Sequence, residues 1–200
     1  SKVFEISDES IHIHLFDREG DLKQFSDNIK FFNRQIEVII FPSWDCLPYS
    51  NTSPRKEIIS KRYSALRASK SEDKNRKIIL MSLDSILQKI IPINEIFSKS
   101  FYLCTDQDVN LSSLIGWLEK MGYSRQENVY SVGEYALRGG ILDVYVPEIE
   151  HPIRLDFFGT KLERIRTFDP SSQRTNGSVN EIKIFPVSEI ILDGQTIDRF

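Results

Sequence analysis

Arg125 and Arg138 are residues of this 200-residue chain able to recognise another protein, although residue type alone favours ordinary ion pairs for both. A guanidinium is a planar fork that can pair bidentately with a carboxylate on a partner surface. Arg125 closes the segment Gly122-Tyr123-Ser124-Arg125. Arg138 lies inside Gly133-Glu134-Tyr135-Ala136-Leu137-Arg138-Gly139-Gly140-Ile141-Leu142-Asp143. The bland alternative is that both arginines make ordinary surface ion pairs with Glu127 or Glu134. Gly133, Gly139 and Gly140 suit a bulge or turn that needs positive φ, which would aim the arginines. Tyr135 fits two roles equally, an aromatic anchor at a surface or a cross-strand core residue.

Patterns for catalysis are missing. No GxxxxGK[ST] loop occurs, and Arg138-Gly139-Gly140 and Gly194 are isolated glycine sites that cannot cradle phosphate. No acidic pair follows an apolar strand to hold Mg²⁺. Asp84 in Met81-Ser82-Leu83-Asp84 reads as a helix cap or first-turn charge. Asp106 and Asp108 sit in a loop-like stretch. Nothing resembles a nucleophile elbow. Cys46, Cys104, His12, His14 and His151 have no zinc-ligand spacing. We therefore expect no catalysis, no cofactor and no metal from these residues.

Composition narrows the class. Hydrophobic residues make up 40% and aromatics 11%, enough to build a core. Charged residues are 28% with net charge −3, which argues against a dedicated non-specific DNA binder while leaving a local basic patch open. No signal peptide or run of about 18 apolar residues appears, so the expectation is a cytoplasmic chain with reduced thiols and no membrane contact. The polar start, and an end at Asp198-Arg199-Phe200 without a helix stop, lead us to expect a piece of something longer, monomeric by itself.

Ile11–Phe16 alternates as a strand. Asp17 can cap a helix through Phe32, with Leu22, Phe25, Ile29 and Phe32 on one stripe. Ile36–Phe41 reads as a strand buried on both faces. A proline-bounded loop with Trp44, Leu47 and Tyr49 follows, read as packing over the sheet edge rather than stacking on bases. A helix over Glu57–Ala68 is anchored by Ile58, Tyr63 and Leu66. The charges Arg55-Lys56 and Lys61-Arg62 read as its solvated face. Ser71–Arg76 is a charged turn, Lys77–Met81 a third strand and Leu83–Ile91 a short helix. This alternation predicts an open α/β sheet. Beyond it come a strand at Phe101–Cys104 and an Asn110-capped helix through Met121, with Gly122 as its stop. Strands are predicted at Glu134–Leu137, Gly140–Val146, Pro152–Phe158, Leu162–Phe168 and Asn180–Phe185. They make a small antiparallel sheet with one packed helix.

Three co-linear stretches resemble the bacterial transcription-repair coupling factor family, also called Mfd. They are Phe41-Pro42-Ser43-Trp44-Asp45-Cys46-Leu47-Pro48-Tyr49 continuing to Ser60-Lys61-Arg62, the Gly122–Asp143 motifs above, and Arg154-Leu155-Asp156-Phe157-Phe158-Gly159 with Ile165–Pro170 and Gln173-Arg174. The resemblance is to that family's N-terminal module, itself similar to the excision-repair protein UvrB. It implies residues 1–96 as domain 1a, a truncated helicase-like (P-loop-type) α/β domain without its phosphate loop. It implies residues 97–187 as domain 2, a small α+β domain that docks the repair ATPase UvrA, and 188–200 as the start of a return segment to domain 1b. Carried over residue by residue, the UvrA-binding set is Arg125 and Arg138, with Glu134, Tyr135 and Leu142 beside them. UvrB has a further arginine where this chain has Ala136.

The function implied is non-catalytic recruitment of UvrA to RNA polymerase stalled at DNA damage. RNA polymerase, DNA, ATP and Mg²⁺ would be handled by other parts of an ATP-dependent translocase parent. An active UvrB-like ATP-dependent helicase fragment, or a DNA-binding scaffold, stay open as alternatives.

Overall fold

The computed structural model describes residues 11–47, 50–70, 76–90, 92–147 and 149–189. Expectations for Tyr49, for Ser71 to Asn75 of the charged turn, for Ile91 and for the return segment from residue 190 onward lie outside the described residues. The chain divides into two compact units, Ser1–Ile93 and Asn94–Phe200.

The first unit runs β1 (Ile11–Phe16), α1 (Gly20–Phe32), β2 (Glu37–Phe41), α2 (Lys56–Lys70), β3 (Lys77–Ser82) and α3 (Leu83–Leu87). Its strands lie in the order β1-β3-β2 with every pair parallel. The near-continuous apolar runs of β2 and β3 have this cause, because a parallel strand is covered on both faces. Leu22 of α1 packs with Ile78 and Leu80 on one face, and Ala65 of α2 packs with Ile39, Phe41 and Met81 on the other.

Several expectations are corrected here. Helix α1 starts at Gly20, and Asp17 does not cap it; the N-cap residue is Glu19, with no side-chain cap bond. The Glu19 carboxylate instead accepts the N–H and hydroxyl of Ser43, which ties down the loop after β2. Phe32 leaves the apolar stripe and is exposed, while Ile59 rather than Ile58 is buried in α2. The largest correction is Arg62. It is 0% exposed, not solvated. Its guanidinium stacks 4.5 Å from the Phe41 ring centroid and 5.4 Å from that of Trp44. Its Nη1 donates to Pro42 O at 2.8 Å and to Gln88 Oε1 at 3.0 Å. Aromatic faces and carbonyl oxygens thus replace the water that an arginine normally keeps. Leu47 is exposed and does not pack over the sheet edge.

The second unit is mixed. After α4 (Ile93–Ser98) come β4 (Phe101–Cys104), α5 (Leu111–Lys120), β5 (Ser124–Arg125), β6 (Glu134–Arg138), β7 (Ile141–Val144), β8 (Ile153–Phe158), β9 (Lys161–Phe168), β10 (Thr175–Val179) and β11 (Glu181–Ile184). Six strands form one sheet in the order β10-β9-β8-β7-β6-β5, antiparallel throughout except for the parallel β5–β6 pair. Strands β4 and β11 make a separate antiparallel ribbon. Asn110 caps α5 by accepting from Ser113 N at 2.9 Å. Leu114 and Leu118 of that helix are fully buried against Tyr135, Leu142, Val144, Leu155 and Leu162. Each such leucine contributes roughly 2 kcal/mol from burial alone. Gly122 ends the helix at φ +93, where a Cβ would also strike the Ser188 side chain. Among the described residues no helix is long and apolar enough to cross a membrane.

Candidate protein-interaction site

The site is built on the hairpin β6–β7 and the short edge strand β5. Tight chain reversal between Arg138 and Ile141 needs Gly139 at φ +61. Gly140 lets the backbone pass so close to β8 that a Cβ there would lie 2.6 Å from Phe157 O. At the other end of β6, the Glu134 carboxylate accepts the N–H groups of Tyr130 and Ser131 at 2.8 and 2.9 Å. It braces the loop before the strand and forms no ion pair with either arginine.

Strand alternation then sorts the side chains. Tyr135 and Leu142 point into the helix-covered core and are each 0% exposed. They shape the site from behind and have no surface for a partner to touch. Tyr135 O–H donates to Glu119 Oε1 at 2.7 Å; burial, helped by that bond, pushes its phenol up to about 12. Ala136 lies on the opposite face, packed with Val129 and Phe168.

Arg138 shares that second face with a charged network. The β6–β7–β8 register places Ala136, Asp143 and Arg154 side by side across three strands. Asp143 is completely buried. Arg154 clamps it, Nε at 2.7 Å from Oδ1 and Nη2 at 2.8 Å from Oδ2. Arg138 reaches the same carboxylate diagonally, Nη2 at 2.7 Å from Oδ2, and sends Nη1 to Asn128 Oδ1 at 3.2 Å. The Arg138 side chain still keeps 49% of its surface. The Arg154 guanidinium also lies 4.6 Å from the Phe168 ring centroid. Neither Asp143 nor Arg154 stands out in the sequence as part of a site, since their partners are neighbours only across strands.

Arg125 sits on β5 in register with Tyr135 and is exposed, with no ion pair among the described residues. Arg125, Gln126, Glu127, Leu137 and Arg138 line one open depression of about 570 Å³. The fold therefore brings together the two arginines, set Glu134 aside as a loop brace, and places Tyr135 and Leu142 beneath. Among the described residues no group of three or more His, Cys, Asp or Glu gathers as a metal site. Cys46 and Cys104 are free thiols.

Comparison with known proteins matches residues 101–190 to the UvrB interaction domain family. The transcription-repair-coupling factor of Haemophilus influenzae is 34% identical over 82% of this chain and 14% of that protein. The one from Myxococcus xanthus is 32% identical over 81% of this chain and 13% of its own length. The one from Escherichia coli strain K12 is 32% identical over 87% of this chain and 15% of its own length. The chain thus spans only a small part of the relatives it matches.

Proposed function

We propose, from its membership of the transcription-repair-coupling factor family in the stretch it spans and its match to the UvrB interaction domain, that this chain is a non-catalytic docking module that recruits UvrA to RNA polymerase stalled at damaged DNA. The observation that carries this reading is the meeting of Arg125 and Arg138 at one open depression on the edge of the sheet. Two arginines lining one concavity at the sheet edge suit a partner that offers carboxylates. An arginine at the centre of such an interface contributes about 2 kcal/mol or more. The buried pair Tyr135 and Leu142 then serves the partner indirectly, by holding the strands that carry the arginines.

The first unit is read as the scaffold. Its three parallel strands with helices on both faces are compatible with a truncated helicase-like domain. Nucleotide and DNA chemistry would then belong to other parts of the whole protein.

The test is calorimetric binding of purified UvrA to the 200-residue chain. Arg125→Ala with Arg138→Ala is expected to weaken binding by roughly thirtyfold or more, about 2 kcal/mol. Undiminished affinity in the double variant would sink the site assignment, and ATP hydrolysis by the chain itself would sink the non-catalytic reading.

A further inference from the structure

Asp143 has no accessible surface, yet it holds the better-anchored of the two docking arginines. We propose that Asp143 is a positioning residue for docking: it fixes the Arg138 guanidinium at the rim of the depression, so that an acidic group on the partner meets a pre-formed fork. This rests on the reading of Arg138 as a docking residue.

The geometry supports it in three ways. First, the carboxylate cannot swing, because Arg154 occupies both of its oxygens from the neighbouring strand. Second, Arg138 is held at two points on different elements, by Asp143 on β7 and by Asn128 in the loop before β6. That leaves Nε–H and the outer Nη protons for a partner, out of the five donors a guanidinium carries. Third, the residue directly opposite Asp143 is Ala136, whose methyl leaves Oδ2 within reach of Arg138 two residues along the strand. A side chain ordered before association loses less freedom on binding.

Charge makes the inference separable from simple attraction. Asp143→Asn raises the net positive charge beside the depression by one unit. Long-range electrostatics alone would then tighten binding to an acidic partner, whereas loss of positioning weakens it.

The experiment is a double-mutant cycle on UvrA affinity with Asp143→Asn, Arg138→Ala and the two combined. Asp143→Asn is expected to weaken binding about tenfold, and to add nothing once Arg138 is alanine. An unchanged or tighter Asp143→Asn variant overturns the proposal. So does a full additional loss in the Arg138→Ala background, which would mark a merely structural role while leaving the docking reading intact. Arg138→Ala binding as well as the parent overturns both readings. Because Asp143→Asn risks misfolding, a second measurement needs no variant: guanidinium NMR of the unaltered chain. Hindered rotation and slow proton exchange are expected for Arg138 but not for Arg125. Equal mobility of the two overturns the proposal.

Discussion

Arg154 grips the Asp143 carboxylate with two parallel hydrogen bonds, Nε to Oδ1 at 2.7 Å and Nη2 to Oδ2 at 2.8 Å, across directly paired positions of β7 and β8. Fork-to-fork pairing of this kind is the strongest form of ion pair, and it offsets the cost of taking a carboxylate wholly out of water. The pair is also the point where the stability of the sheet and the presentation of Arg138 meet.

Removing one partner of this pair is expected to be severe. Arg154→Ala leaves Asp143 buried with only the half-exposed Arg138 as counter-charge, and we expect a loss of about 3–5 kcal/mol in urea unfolding. Replacing both partners with apolar residues of similar size, Asp143→Leu with Arg154→Met, should cost far less. A double variant as unstable as the single one would contradict this account.

The first unit has its own buried cation. Arg62→Ala is expected to cost about 3 kcal/mol or more, because it opens a cavity between Phe41 and Trp44 and strands the Pro42 carbonyl. Lys61→Ala, on the exposed side of the same helix turn, should stay within about 0.5 kcal/mol. Thermal melts of the two variants side by side decide it; similar shifts would mean Arg62 is not the bolt the packing makes it.

The two glycines of the β6–β7 turn should respond differently to alanine. Gly139 has φ +61 with open space around it, so Gly139→Ala pays mainly for the left-handed backbone, about 1–2 kcal/mol. Gly140→Ala drives a Cβ against the Phe157 carbonyl at 2.6 Å, and something in β8 must move. We expect Gly140→Ala to be the more destabilising and also to disturb β7–β8 amide protection in hydrogen exchange. Intact protection there would refute the close approach.

Alkaline pH should weaken the second unit. Burial holds the Tyr135 phenol up at about 12 and raises that of Tyr123 well above its ordinary value, against about 10 in an unfolded chain. A group whose folded pKa is raised contributes stability that is complete below pH 10 and lost as pH rises through the folded value. Unfolding free energy is therefore expected to fall above pH 10, with Tyr135→Phe flattening the part between 10 and 12. An equally steep decline in Tyr135→Phe would remove Tyr135 from the explanation.

Pattern and capping chemistry made the regular elements legible in the sequence. The alternation of Ile11–Phe16, the run Phe101–Cys104, the Asn110 cap with Leu114 and Leu118 below it, and the Gly139-Gly140 reversal are local signals, and the elements lie where those signals place them. Two strands escaped notice for a physical reason. Strand β5 has only two residues, and β10 is exposed along its whole length, so neither carries an apolar period.

What the sequence determined unaided was the order of most elements and the parallel-sheet character of the first three strands; Arg125 and Arg138 became candidates through the family resemblance. Tertiary structure alone decided which charges are buried. Arg62 and Lys61 are adjacent in sequence, yet only Arg62 faces Phe41 and Trp44. Arg138 and Arg154 are alike in type, yet Arg154 is clamped and Arg138 half-free, because Asp143 meets one directly across the sheet and the other on a diagonal. A charge is kept or lost to water by what the neighbouring strand brings to it, and register between strands is not written in the spacing along one chain.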